Sequence, residues 1–444
     1  MSASGSGRCT PISCPVSSPC LSSAATRHTC NGSRARPVKA RTRNVMPTSP
    51  RLTLAFGSLA HACTHALLLF YATLVLSLQS DWGLGYAELM ALSVPGGVLL
   101  GLGALPAGWL ADRWSGTGML AVFFVGLGLT TIATGLAQGP IGMALGLSGM
   151  GLFAAIYHPV GVPWVIEHAV NRGRALAING VFGTAGTAAA ALIAAALAQY
   201  LGWRWALLLP GFVVLLLGLG FIACWRLGLL TDRRTGGGGE TEQPRAHRRR
   251  AFAVLAVTAV CGGLVYQATS YALPKLFEER LFDSLGGSLL GIGGAVTAVY
   301  VVGAGALLLG GELADRLPLK TVYVACLALQ TPFYFLAFLL ASPILLPVAA
   351  MMVSANFASS PVESALLARY APRGKRSQTF GLVFLLNLGI GAVGLSLLPI
   401  LHKLTGEMAG LFAVLAAFSA VAVAVAFRLP AEPAGRLATV AGRS

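Results

Sequence analysis

The chain is short of charge. Asp, Glu, Lys and Arg make up 10% of its 444 residues, against about 25% in an ordinary soluble domain. Acids are scarcest, 15 against 31 basic residues. Several signatures of chemistry are absent as well: a Gly-x-x-x-x-Gly-Lys phosphate loop, a Gly-x-Ser-x-Gly elbow, a His-Glu-x-x-His pair and any long polar domain. Their absence disfavours hydrolases and metalloproteases of those types and an ATP-driven pump within one chain. No enzyme activity, cofactor or metal is expected. The eight cysteines form no Cys-x-x-Cys pair and no zinc spacing. Four lie in the first 30 residues; Cys63, Cys224, Cys261 and Cys326 stand singly in apolar stretches, as small packing residues do.

What the chain has in abundance is apolar sequence. Apolar residues are 56% of the total and mean hydropathy is +0.75. Twelve runs approach the roughly 20 residues that cross about 30 Å of hydrocarbon. They lie at roughly 52–78, 87–111, 117–137, 140–165, 175–199, 203–225, 251–274, 285–309, 320–340, 343–367, 378–401 and 407–427. The runs lack the two-residue alternation of a membrane barrel. Lipid offers backbone groups no hydrogen bonds, so each run is predicted to be a helix. The predicted fold class is an all-α integral membrane protein, with twelve transmembrane helices in two pseudo-symmetric six-helix halves. Glycine within the runs suits close helix packing.

The net charge of +16 invites a nucleic-acid reading, which its distribution removes. Segments before run 1, between even and odd runs, and after run 12 hold 27 of the 31 Lys and Arg; the other side holds Arg204, Lys275, Arg280 and Lys403. By the positive-inside rule both termini are expected in the cytoplasm, most simply of a bacterium with the chain in its inner membrane. Residues 1–50 are basic, Ser- and Pro-rich and free of acids, without the apolar core of a secretory signal. They are expected to be a disordered tail, or to precede a true start at Met46; a transit peptide and a lipid-binding tail stay open. The expected domains are 51–225, a first six-helix half; 226–250, a Gly-rich cytoplasmic linker; 251–428, a second half; and 429–444, a cytoplasmic tail.

Gly108-Trp-Leu-Ala-Asp-Arg-Trp114 recurs as Gly311-Glu-Leu-Ala-Asp-Arg-Leu317, 203 residues later, and Arg172-Gly-Arg174 is echoed by Arg373-Gly-Lys375 at an offset of 201. Two echoes in nearly one register indicate duplication, the construction of many secondary transporters. The Gly-x-Leu-Ala-Asp-Arg loop resembles the signature of the major facilitator superfamily, and the resemblance covers about 51–430. The chain departs from it after the loop, where Ser115-Gly116-Thr117 and Pro318-Leu319-Lys320 replace the usual Gly and basic pair. Tyr157-His158-Pro159, Arg172 to Gly180, Gly183 and Gly202-Trp-Arg-Trp205 resemble the fosmidomycin-resistance-type efflux branch. The resemblance implies proton-coupled export of a drug or metabolite, with uptake of a small neutral metabolite as the rival. A non-transporting membrane sensor on the same fold is the rival of another class. A monomer is expected, with a small solute, a coupling ion and the bilayer as partners and no nucleic acid.

Gly108, Asp112, Arg113, Gly311, Asp315 and Arg316 are the candidate conformational latch. Asp112 is expected to face the start of run 11, and Asp315 the start of run 5, because helix N-termini attract anions. Arg113 and Arg316 are expected to pair with Glu167 or Glu363. In this fold the substrate path runs between runs 1, 4, 7 and 10 near mid-depth. His61 and His65, four apart on one helical face, join Tyr157, His158, Tyr266, Gln267, Tyr271 and Asn356 as the substrate or proton pathway, because intramembrane polar groups are costly. Thr64, Tyr71, Thr184 and Ser360 are lesser candidates. Asn179, Asn387, Arg172, Arg174 and Glu363 are assigned to helix packing or gating. No carboxylate lies convincingly at mid-depth, so proton coupling falls to His, to Glu363 or to nothing. Nor does any Lys or Arg, which disfavours a strongly anionic solute.

Overall fold

The computed structural model describes residues 49–232, 245–371 and 376–430, and every regular element among them is helical. The tail 1–48, most of the central linker and the Arg373-Gly-Lys375 echo lie outside the described residues. In chain order the helices are α1 (Pro50–Trp82), α2 (Tyr86–Ala91), α3 (Val94–Arg113), α4 (Gly116–Gly135), α5 (Pro140–Ala154), α6 (Val162–His168), α7 (Arg172–Leu201), α8 (Trp203–Arg226), α9 (Arg245–Leu281), α10 (Leu289–Arg316), α11 (Leu319–Leu339), α12 (Leu345–Tyr370), α13 (Arg376–Thr405) and α14 (Ala409–Ala426). Eleven spans are long and apolar enough to cross a membrane, and Val393–Thr405 of α13 adds a shorter apolar stretch.

Polar punctuation sets the helix starts. The side chains of Ser49, Ser115, Asn171 and Ser288 accept from backbone N–H groups in the first turns of α1, α4, α7 and α10, satisfying donors that the helix leaves orphaned. Two predicted runs are not single helices. Run 2 breaks at Leu92–Ser93, just before Pro95, into α2 and α3. Run 4 contains a π-helical turn at Tyr157–Gly161 between α5 and α6. Pro159 lacks an N–H and clashes with the preceding turn, and a π-turn absorbs the misfit. Run 7 is underestimated at both ends, because α9 carries on past its apolar part into Arg248–Arg250 and into Lys275–Arg280.

The helices pair in a repeated pattern. Among the first spans α1 packs on α7, α3 on α5 and α4 on α8; among the last, α9 packs on α13, α10 on α12 and α11 on α14. In spans these are pairings 1–5, 2–4 and 3–6, then 7–11, 8–10 and 9–12. The two sets meet through α7 on α10 and α3 on α13, which exchange places under the same renumbering. Chain-end segments knit the near end of the bundle, where Ser49 N donates to Leu229 O at 3.2 Å and Arg250 Nε to Arg428 O at 2.8 Å.

At the far end the sets are hydrogen-bonded to each other. Leu290 N donates to Gln199 Oε1 at 3.0 Å and Thr297 Oγ1 to Ala188 O at 2.6 Å. Gly293 makes this approach possible, since a methyl there would lie 2.6 Å from both Ala191 O and Ala195 Cβ. Tyr86 of α2 lies under His402 of α13, rings 4.9 Å apart, with the Lys275 ammonium 5.2 Å from its ring. Two far-end arginines close helix C-termini: Arg204 donates to Gly135 O and Ala137 O beyond α4, and Arg280 to Phe338 O and Leu340 O beyond α11.

Candidate functional site

A cavity opens where the two sets face each other. Thr64, His65, Leu68 and Leu69 of α1, Leu100 of α3, His158 of the π-turn, and Tyr266, Gln267 and Tyr271 of α9 line it, and they leave it narrow. The sequence reading named His65, His158, Tyr266, Gln267 and Tyr271, with Thr64 as a lesser candidate, and these six come together here. It missed the apolar wall, which no polarity signal marks. Tyr271 spans the gap itself, donating to Leu68 O at 2.8 Å.

His61 lies one turn below His65 and is held on three sides. Its Nδ1 is 2.8 Å from Asn179 O, its Nε2 3.2 Å from His65 Nε2, and its ring stacks on Tyr157 with centroids 4.8 Å apart. A carbonyl only accepts, so Nδ1 carries the proton and Nε2 presents a lone pair. Tyr157 is fixed in turn by the Asn179 amide, 3.0 Å to Oδ1 and 2.7 Å from Nδ2. Asn179 thus ties α7 to α1 and to the π-turn. Gly183 supplies the space, since a methyl there would sit 2.5 Å from the His61 ring. His158 closes the group, with ring centroids 5.3 Å from His61 and 5.6 Å from His65. Ligand atoms of all three histidines lie within 4.8 Å of one another.

A second, smaller cavity adjoins the first through the shared Tyr266. Thr269, Tyr300, Tyr334, Val353, Asn356 and Phe357 complete it. Asn356 donates to Gln330 Oε1 at 3.3 Å, Thr269 to Tyr334 Oη at 3.1 Å and Tyr300 to Ser270 Oγ at 2.9 Å. Tyr300, Tyr334 and Gln330 sit in spans 8 and 9, outside the four spans expected to line the path. Gln330, an amide midway along an apolar run, is the signal that identifies that wall.

Other expected residues fall elsewhere. Tyr71 donates to Leu89 O at 2.6 Å and Thr184 to Gly180 O at 3.0 Å, while Ser360 is exposed. The Asn387 carbonyl passes close against Gly263 of α9. Arg172 and Arg174 are exposed in the first turn of α7. Glu363 lies inside α12 with a buried Oε1 that has no hydrogen-bond partner among the described residues. Asp112 and Arg113 end α3, and Asp315 and Arg316 end α10. The expected pairing of the arginines is corrected: the Arg113 guanidinium stacks 4.1 Å over Trp109, and Arg316 pairs with Glu312. Each finds its partner on its own helix, four residues away, where no ordering of a second element is needed. The side chains at the start of α13, opposite which Asp112 was expected, lie outside the described residues. Among the described residues Asp315 forms no ion pair.

Residues 54–307 and 277–443 match the Major Facilitator Superfamily. The chain belongs to that family. That family is one of membrane transport proteins. A puromycin resistance protein, pur8, of Streptomyces alboniger is 30% identical over 203 residues, which are 44% of this chain and 36% of that protein. A gallate transporter of Pseudomonas putida is 32% identical over 145 residues, 32% of each. The chain therefore matches about a third of the length of these curated relatives. Among solved structures it is similar to a bacterial homolog of the human lysosomal transporter Spinster in its inward-facing, occupied conformation, with TM-score 0.66 and 17% identity over 86% of this chain and 95% of that one. The inward-facing, unoccupied form gives 0.64 and 16% over 86% and 94%. At such identity the likeness concerns the fold.

Proposed function

We propose that this superfamily member moves a small organic solute by alternating access, with two six-helix halves rocking about the cavity between α1, the π-turn and α9. One observation carries the reading: residues of both helix sets line a single polar-and-aromatic cavity inside an otherwise apolar bundle. The repeated helix pairings support two equivalent halves. Tyrosines, histidines and an amide suit a neutral, aromatic or weakly charged solute, and no Lys, Arg, Asp or Glu lines either cavity. The names of the partial relatives, puromycin resistance and gallate transport, agree with that class. Proton-coupled efflux is the direction we favour, with the termini cytoplasmic and Glu363 or the histidines as proton carriers. Asp112 and Asp315 are the proposed latch at the ends of α3 and α10.

The test has two steps. Purified protein is screened for solutes that raise its melting temperature, because a ligand of the folded state stabilises by mass action. Hits are then loaded into proteoliposomes and their flux followed with and without a pH gradient. Gradient-driven flux is the expected result. Stabilising ligands with no flux under any gradient would favour a membrane sensor on this fold.

A further inference from the structure

We propose that His61, His65 and His158 form a binding site for a transition-metal ion of the zinc class, with an open coordination position facing the cavity. The inference deepens the transport reading, since two of the three histidines line the cavity. It departs from the sequence expectation of no metal: His158 comes from another span, and no spacing announces it beside His61 and His65.

One edge of the cluster already has the length a tetrahedral site needs. Zinc binds imidazole nitrogen at about 2.0–2.1 Å, which puts neighbouring ligand nitrogens about 3.3 Å apart. His61 Nε2 and His65 Nε2 are 3.2 Å apart. The third histidine has a ligand atom within 4.8 Å of both, so a ring rotation completes the face. The outer shell is already built. Metal-binding histidines donate their second ring N–H to a carbonyl or carboxylate, which fixes the tautomer. His61 Nδ1 does this to Asn179 O at 2.8 Å, and Tyr157 stacks on the same ring. His61 Nε2 is thereby held deprotonated and aimed at the cluster. All three histidines are half-buried, and His65 and His158 border the cavity.

Charge then decides the fourth ligand. Three neutral imidazoles leave a divalent ion with both its charges, and an isolated charge in an apolar setting is strongly disfavoured. The cavity wall offers hydroxyls, one amide and leucines, but no acid. The fourth donor must come from an anionic oxygen or nitrogen group of the bound solute, or from hydroxide. The metal would then serve as the cation that the cavity's side chains do not provide, admitting chelating anions.

The full chain, purified with any histidine tag removed, is titrated with Co²⁺ and then Zn²⁺, with Mg²⁺ as control. The expected result is the intense visible band of four-coordinate Co²⁺, displaced by Zn²⁺ and untouched by Mg²⁺. Acetohydroxamate, a small chelating anion, should alter that band by entering the open position. Second-shell losses alone cost metal sites about 10- to 100-fold, so His65→Ala and His158→Gln should each weaken Co²⁺ binding by more than about a hundredfold. Using two variants guards against one that fails to fold. Only the weak spectrum of aqueous Co²⁺ in the wild type, or wild-type affinity in both folded variants, would overturn the proposal. A band unmoved by acetohydroxamate would overturn the open position. Solute flux in protein without the Co²⁺ band would remove the metal site and leave the transport reading; the band without flux would do the opposite.

Discussion

A methyl group at position 293 is the smallest change that tests how the far end is held together. In Gly293→Ala the new Cβ would lie 2.6 Å from Ala191 O and from Ala195 Cβ. Ordinary carbon contacts are about 3.5–4.0 Å, so α7 and α10 must part by about 1 Å, because a backbone carbonyl cannot rotate away. That displacement carries Thr297 Oγ1 and Leu290 N, now 2.6 and 3.0 Å from their acceptors, out of hydrogen-bonding range. Hydrogen bonds within membranes average about 0.6 kcal/mol each, and ordinary ones reach about 1.5 kcal/mol. Losing two costs about 1–3 kcal/mol, and overpacking alone costs a similar amount. Both helices remain packed within their own sets, on α1 and on α12, so the cost falls on the contact between sets. The far-end-closed population should fall about fivefold to a hundredfold against its open alternative, with little change in melting temperature. Spin labels at the exposed residues Leu201 and Asp283 would report this as a growing long-distance population. An unchanged distance distribution in a folded variant would refute the view that Gly293 governs the closure.

Asp112→Asn and Asp315→Asn should fold and insert, turn over more slowly and favour far-end-closed states; helix-terminus charges are worth about 0.3–2 kcal/mol, and equal cysteine labelling and flux in wild type and both variants would leave these acids as topology markers. Tyr157→Phe should lower thermal stability by about 1 kcal/mol through loss of its exchange with Asn179, which calorimetry would measure. Glu363→Gln should abolish pH-gradient-driven accumulation while leaving solute exchange across vesicles intact; full gradient-driven flux in this variant would take Glu363 off the proton path. A chain beginning at Met46 should insert and transport like the full chain, checked by membrane fractionation and flux.

The spans were legible because lipid imposes one demand on all of them, that every backbone group be satisfied inside the helix. Both copies of Gly-x-Leu-Ala-Asp-Arg form the last turns of a helix, α3 and α10, and α10 runs to Arg316, past the expected end of its run near 309. What could not be read was rotation. A soluble helix shows its buried face by polarity, but here the lipid side is as apolar as the core. Tyr300 and Tyr334 look no more inward than the exposed Phe335. The polar few did show their faces, and His65, His158, Gln267 and Tyr271 converge from three segments for that reason. The π-turn escaped because Pro159 signals a disturbance without saying which kind.

Arg204 and Arg280 bear on how the chain enters its membrane. In the proposed orientation, with cytoplasmic termini, each would have to cross during insertion, against a potential worth about 2.3 kcal/mol per charge per 100 mV. On the far side each guanidinium meets two carbonyls, Gly135 and Ala137 for one, Phe338 and Leu340 for the other. Hydrogen bonds from a charged group contribute about 1.5–3 kcal/mol apiece, enough to outweigh the pull back toward the cytoplasm. The carbonyls belong to spans 3 and 9, and the arginines to the start of span 6 and the end of span 7. Each capture therefore waits until separate hairpins have assembled and then holds them. In that orientation the charges that break the positive-inside pattern would act as ratchet teeth: translocation is reversible until arginine and acceptor span meet, and unfavourable to reverse afterwards.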